Sequence, residues 1–230
     1  MAKAVQELDW KALSAFEKGT LPESDLNILM EQIKLAYGPG GLGILTVSGI
    51  EEYAEARRRL LPLARDFALL PADIKEKYQD PESTFQFGWS HGVEILQNGK
   101  ADTFKGSYYA NPKIDVPSTN PEELKRYPTY ARPNVWPTED LPDLRDAFMN
   151  LGKIIIKAGE VLAKLCDYYV TSRGLPSPSL SETVKTSPCP KARLLHYFPT
   201  TNLKTENDSG SDSDSDSEAN ESNWCGVHCD

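Results

Sequence analysis

The chain has 230 residues, 39% of them hydrophobic and 26% charged, an ordinary globular composition that excludes a collagen, a continuous coiled coil and a wholly disordered chain. Its 25 Lys and Arg against 34 Asp and Glu give a formal charge of -9, the opposite of the basic balance that a general nucleic-acid or anionic-membrane binder needs. Seven of the acids fall within 205–222 with no base among them, so the remainder carries 25 bases against 27 acids and is nearly neutral.

Thr20-Leu-Pro-Glu23 has the form of a capping box, and Leu26, Leu29, Ile33 and Ala36 then recur at helical spacing until Gly38-Pro39-Gly40-Gly41 stops the pattern. Leu42-Gly-Ile-Leu-Thr-Val47, closed by Ser48-Gly49, suits a buried strand. An Ala-, Leu- and Arg-rich helix is predicted from Glu51 to Leu70, and a shorter one from Pro71 to Tyr78 with Pro in its first turn. Seven prolines (112, 117, 121, 128, 133, 137 and 142) make 111–142 an irregular surface connection. Leu144, Phe148, Leu151, Ile155, Ala158, Leu162, Leu165 and Tyr169 then mark one stripe of a helix of about 28 residues, about 42 Å long, which should back a sheet or a bundle. After a Ser/Pro-rich link, Ala192 to Phe198 reads as a strand ended by Pro199, and Trp224 to Cys229 as the start of another. The Ser/Asp tract between them, 205–222, has too little apolar surface for a core and reads as a disordered insert.

No apolar run approaches the roughly 18 residues of a membrane span, and the first ten residues lack the apolar stretch of a secretory signal, so a soluble cytoplasmic protein is expected. Cys166, Cys189, Cys225 and Cys229 are too sparse for a disulfide scaffold and read as reduced thiols. A zinc site built on Cys225, His228 and Cys229 lacks a second cluster. Gly38-Pro-Gly-Gly41 lacks the Gly-Lys-Ser/Thr of a phosphate loop. His228 and Asp230 form an H-x-D pair. In a strand, residues two apart share a face, so one imidazole nitrogen and one carboxylate oxygen converge there, as two members of an iron-binding facial triad would. By itself the pair is a weak signal, since a solvated His and Asp satisfy it equally well.

Several separated stretches supply context. They are Gly43-Ile-Leu-Thr-Val-Ser-Gly49, Leu70-Pro-Ala-Asp-Ile-Lys-Glu-Lys-Tyr78, Phe87-Gly-Trp-Ser-His91 and Lys105-Gly-Ser-Tyr-Tyr-Ala-Asn-Pro112, followed by Asn134-Val-Trp-Pro137, the long helix, Arg193-Leu-Leu-His-Tyr-Phe-Pro199 and Cys225-Gly-Val-His-Cys-Asp230. In that order the chain resembles the N-terminal portion of the isopenicillin N synthase-like, 2-oxoglutarate- and Fe(II)-dependent dioxygenases. The resemblance implies an α+β protein: a double-stranded β-helix (jelly-roll) core, here incomplete, flanked by N-terminal helices and one long helix. The expected organisation is a helix-and-strand region over 1–110, the Pro-rich connection 111–142, the long helix and first core strand over 143–204, the insert 205–222, and the beginning of the Fe(II)/2-oxoglutarate core over 223–230.

The resemblance also implies Fe(II), 2-oxoglutarate as co-substrate and O₂, acting on a small organic substrate, with no nucleic-acid or membrane partner. His228 and Asp230 would be two metal ligands. The family's distal His and the Arg that grips 2-oxoglutarate lie downstream of this motif, so the expectation for this chain is a truncated form with weak or no activity. In many relatives a Tyr precedes the Pro after the core strand; here it is Phe198, which donates no hydrogen bond. Alternation sets Leu194, His196 and Phe198 on one face, so His196 either supplies that bond to 2-oxoglutarate or substrate, or packs within the sheet with a nitrogen on backbone. By the resemblance Phe87-Gly-Trp-Ser-His91 and Lys105-Gly-Ser-Tyr-Tyr109, rich in aromatics and hydroxyls, border the substrate pocket and shape specificity, while Trp89 and Tyr108 suit core plugs between the helices and the barrel equally well. Ser209, Ser211, Ser213 and Ser215 each have an acid three residues later, the pattern of an acid-directed kinase substrate, while a plain solvated insert explains the tract as well. A different class of function is a non-catalytic interaction module working through that tract.

Overall fold

The computed structural model describes residues 4–95, 99 and 101–199. Strand β1 (Gln6–Asp9) runs directly into helix α1 (Trp10–Glu17), and the Asp9 carboxylate caps the turn by accepting the Lys11 amide at 3.0 Å. Helix α2 (Glu23–Tyr37) begins where predicted, but the capping box does not form. Pro22 takes the cap position without a side-chain bond, and the Thr20 hydroxyl donates back to the Ala15 carbonyl. Strand β2 (Leu45–Ser48) pairs in parallel with β1, from Gln6 opposite Leu45 to Asp9 opposite Ser48. Parallel pairing requires a crossover, and α1 with α2 provide it.

Helix α3 (Glu51–Ala68) follows, then α4 (Ala72–Glu76), with Pro71 as its cap residue, just outside the first turn expected for it. Strand β3 (Gly88–His91) pairs antiparallel with β4 (Lys105–Ala110). The Pro-rich connection contains two short helices, α5 (Pro121–Arg126) and α6 (Pro128–Ala131), each with Pro in its first turn. Helix α7 (Asp143–Thr171) is the long one, α8 (Leu180–Thr186) lies in the Ser/Pro-rich link, and β5 (Ala192–Tyr197) completes a β3-β4-β5 sheet. The mixed helix-and-sheet class is as expected, but these five strands do not themselves form a double-stranded β-helix. No helix among the described residues is long and apolar enough to cross a membrane.

Helix α7 serves two apolar clusters. Its first half carries Leu144, Ala147, Phe148 and Leu151 against Leu60, Ala64 and Phe67 of α3 and against the sheet residues Trp89, Tyr108 and Leu194. Val161 and Leu165 in its second half join Leu8, Leu13, Leu29 and Ile33. Between the two, Ile155 departs from the expected stripe and is 54% exposed. Asp167, buried on the same helix, accepts the Leu180 and Ser181 amides, each at 2.9 Å, and the Ser181 hydroxyl at 2.6 Å, which holds the start of α8 against α7.

The Pro-rich connection is less of a surface feature than its composition suggests, since Asn111, Pro112, Ala131 and Pro137 are buried. Side-chain amides replace the missing ladder bonds. Asn134 accepts the Asn111 amide at 2.7 Å and donates to the Asn111 carbonyl at 2.9 Å, while Asn111 donates to the Pro188 carbonyl at 2.8 Å. Asp115 gathers donors from Asn134 (3.0 Å), Trp136 (2.8 Å) and Arg145 of α7 (2.9 Å). Burial alone would raise its pKa, but the hydrogen bonds from Asn134, Trp136 and Arg145 hold it below the usual Asp range.

A folded pKa below the unfolded one means that Asp115 contributes fully above the unfolded value of about 3.9, and that its contribution is lost as pH falls through the lower folded value. Asp115→Asn is therefore expected to lower the thermal midpoint at neutral pH and to flatten its fall on acidification below about pH 4, which melting curves across that range will show. Gly106 presents a second test, because a Cβ there would lie 2.0 Å from the Trp89 ring. Gly106→Ala is expected to cost about 1–3 kcal/mol in urea unfolding, the usual penalty of overpacking.

Candidate functional site

Register divides the three-stranded sheet into two unlike faces. Trp89, Tyr108 and Leu194 lie opposite one another across the strands, as do His91, Gly106 and His196, and all share one face. That face meets the helices. The Phe67 ring of α3 lies 5.2 Å from Trp89 and 4.9 Å from Tyr108, and the Tyr108 hydroxyl donates to the Val135 carbonyl at 2.5 Å. Burial pushes the Tyr108 hydroxyl pKa upward. Both aromatics are thus buried in the core.

His196 is on this helix-facing side. Its ring stands edge-on to Phe198 at 4.8 Å, and burial, with the Arg65 charge of α3 adding to it, lowers its pKa. The His91 ring also packs against Phe198, at 5.0 Å, and donates from Nε2 to the Thr103 carbonyl at 3.0 Å. Leu194, on the same face as His196, is part of the helical core. His228, Asp230 and the Cys225 and Cys229 thiols lie outside the described residues. Among the described residues no three His, Cys, Asp or Glu side chains gather as a metal site would require.

The opposite face carries the polar chemistry. Ser107 and Tyr109 of β4 lie opposite Leu195 and Arg193 of β5, and Lys105 lies opposite Tyr197. Arg193 donates to the Ser107 hydroxyl from Nε at 2.9 Å and from Nη2 at 2.8 Å, and Nη2 also reaches Glu94 at 2.8 Å. Glu94 belongs to the β3–β4 connection, which folds back so that its other oxygen lies 2.9 Å from Lys105; the Tyr109 hydroxyl approaches the oxygen that Arg193 meets, at 3.4 Å. Lys105 also meets Asp102 at 3.0 Å. Burial opposes the Glu94 charge, but the Lys105 hydrogen bond and the Arg193 charge outweigh it and lower the Glu94 pKa. Lys105 is likewise raised, its two carboxylates outweighing burial.

Lys105, Glu94, Asp102, Ser90 and Ser107 line a cavity of about 10 Å³, roughly one water in size, and Arg193 adjoins it through its bonds to Ser107 and Glu94. Lys105 and Tyr109 fall in the stretch that the resemblance sets beside the substrate pocket, while Arg193 and Glu94 were not singled out for a site by sequence reasoning. Alternation along β4 and β5 contained part of the signal; the arrival of Glu94 from a connection did not.

No family model matches the chain, and no curated protein matches it either. Solved structures do. A Caulobacter crescentus protein assigned to the 2OG-Fe(II) oxygenase family aligns with a TM-score of 0.60 and 18% identity over 89% of this chain. A full-length Neurospora crassa protein, solved in complex with alpha-KG, aligns with a TM-score of 0.51 and 17% identity over 84% of this chain. The chain shares the fold of these proteins over the aligned part. It spans 59% of the first of them and 51% of the second.

His196 offers the test of this placement. With its folded pKa lowered, stability is complete above the unfolded value of about 6.5 and is lost as pH falls through the folded one. Its ring, followed by NMR, is expected to titrate below pH 6.5, and Arg65→Gln to raise that midpoint. A midpoint unmoved by Arg65→Gln would separate His196 from α3.

Proposed function

We propose that this chain works as a non-haem Fe(II)- and 2-oxoglutarate-dependent dioxygenase that oxidises a C-H bond of a small organic substrate, with His228 and Asp230 as two of its metal ligands. The observation that carries the reading is the fold likeness to a 2OG-Fe(II) oxygenase family protein over 89% of the chain. The isopenicillin N synthase-like order of motifs is consistent with it, because the H-x-D pair follows β5 in sequence. One imidazole nitrogen and one carboxylate oxygen are a donor set suited to Fe(II), and they leave other positions of the metal open. When bound, Fe(II) supplies activation of O₂, with 2-oxoglutarate as the co-substrate that is converted to succinate and CO₂.

The residues of this chain do the holding. The Trp89–Tyr108–Phe67 contacts fix the sheet against α3 and α7, and the face bearing Arg193, Ser107, Lys105 and Tyr109 is the one available for polar recognition. His228 and Asp230 account for two ligands.

Anaerobic calorimetry of Fe(II) with the 230-residue chain tests this. Measurable binding is expected, and His228→Ala and Asp230→Ala should each weaken it at least tenfold, an effect of the order that even outer-shell changes produce. Iron-dependent succinate formation from 2-oxoglutarate would add the activity. Absent binding, or binding that ignores both substitutions, sinks the H-x-D assignment and leaves the acidic tract as the chain's functional feature.

A further inference from the structure

We infer that Arg193 and Lys105 form a carboxylate-recognition site that Glu94 occupies in the free protein, and that the carboxylate of an incoming ligand takes the place of the Glu94 side chain. The inference deepens the dioxygenase reading by naming a ligand class, and rests on it only for the ligand's role in turnover.

The donors belong to the sheet and the acceptor does not. Arg193 is fixed on β5 by its double contact to Ser107, Tyr109 stands directly opposite it, and Lys105 is two residues from Ser107 on the same face of β4. The Arg193 guanidinium also lies over the Tyr109 ring at 5.2 Å. These groups are held whether or not Glu94 is present. The Glu94 side chain is the most exposed member of the trio, at 44% against 31% for Arg193 and 18% for Lys105.

Release of Glu94 does not require the connection to unfold. The Asp102 amide donates to the Glu94 carbonyl at 2.7 Å, and Ile95 bridges to Ala101, so the backbone is closed without the side chain. The Asp102 carboxylate accepts the Phe104 amide at 3.0 Å and keeps its own contact to Lys105. Rotation of Glu94 about its side-chain bonds is then sufficient.

Charge selects the ligand. Arg193 and Lys105 are balanced by Glu94 and Asp102. With Glu94 turned out, one positive charge is left on a partly desolvated face, and one carboxylate restores neutrality with hydrogen bonds of the same kind. A dianionic phosphate would exceed that charge and face the fixed Asp102 carboxylate. A neutral ligand would leave the cations uncompensated.

The carboxylate has two sources in the proposed chemistry, a substrate acid or 2-oxoglutarate itself. The test uses the 230-residue chain with a metal chelator present, so that iron plays no part, and calorimetry and saturation-transfer NMR with benzoate, 2-oxoglutarate and neutral benzamide as probes. Glu94→Gln removes the internal carboxylate and Glu94→Asp shortens its reach; melting by circular dichroism checks that both fold. At least tenfold tighter benzoate binding is expected in Glu94→Gln, a smaller gain in Glu94→Asp, no gain for benzamide, and loss of the gain when Arg193→Gln is added.

If 2-oxoglutarate displaces benzoate, the site serves the co-substrate; if both bind together, it serves a substrate acid. Equal benzoate affinity in parent and variants, an equal gain for benzamide, or loss of fold in both Glu94 variants overturns the inference and makes Glu94 a fixed strut of the connection. Carboxylate binding under chelation and Fe(II) binding by His228 and Asp230 can each fail without the other.

Discussion

The structure depends on one helix having two different neighbours along its length. Helix α7 runs for 29 residues, and its first half closes the core of the three-stranded sheet while its second half closes the core of the β1–β2 pair. Neither sheet has enough apolar surface to stand alone, because sheets of two and three short strands are at or below the size that is independently stable. Shared burial against one rigid rod makes their stabilities interdependent. Ile155, exposed between the two halves, marks where the helix changes partners. At Gly152 a Cβ would come 2.4 Å from the Pro112 side chain, so the absence of a side chain there lets the Pro-rich connection cross the helix at close range.

That arrangement explains why the sheet has an apolar face and a polar one. Once Trp89, Tyr108 and Leu194 are turned toward α3 and α7, the two-residue period of the strands leaves Ser90, Ser107, Tyr109 and Arg193 for the other side. A slip of one residue would bring Arg193 into the helical core, so the register is strongly specified. Gly106 completes the arrangement: the Trp89 indole lies where its side chain would be, between the two histidine-bearing strands. The chemistry of the polar face is thus set by hydrophobic contacts on the opposite face.

How much of this was legible in the sequence varied with the origin of each element. Helices α2, α3 and α7 and strand β5 were readable because their own periodicity decides them. Strand β1 was not, since Gln6–Asp9 is short and mostly polar and becomes a strand only through a partner nearly forty residues away. The same holds for α8, whose start depends on Asp167 of α7. The Thr20 capping box failed because Pro22 occupies the cap position. For the site, alternation gave two faces of β5 but not their sense: Leu194 and Leu195 are equally apolar, and only Leu194 meets α3 and α7. Glu94 has no motif around it, and only the return of its connection over the sheet brings it to Arg193.

A network of four charges that is neither buried nor free is informative in itself. Fully buried ion pairs incur a desolvation cost that excellent geometry barely offsets, while fully exposed pairs contribute little. Lys105 and Asp102 lie near the buried limit, with Asp102 5% exposed, and Glu94 lies well toward the exposed one. The inner pair can therefore act as a fixed electrostatic wall, and the outer carboxylate as the member whose replacement costs least. An incoming carboxylate keeps the charge count, needs no new charge to be desolvated at the wall, and displaces a group already partly in water. A surface ion pair serving stability alone has no need of two strand-borne cations converging on a carboxylate supplied by a connection, whereas a site that must be neutral both empty and filled does.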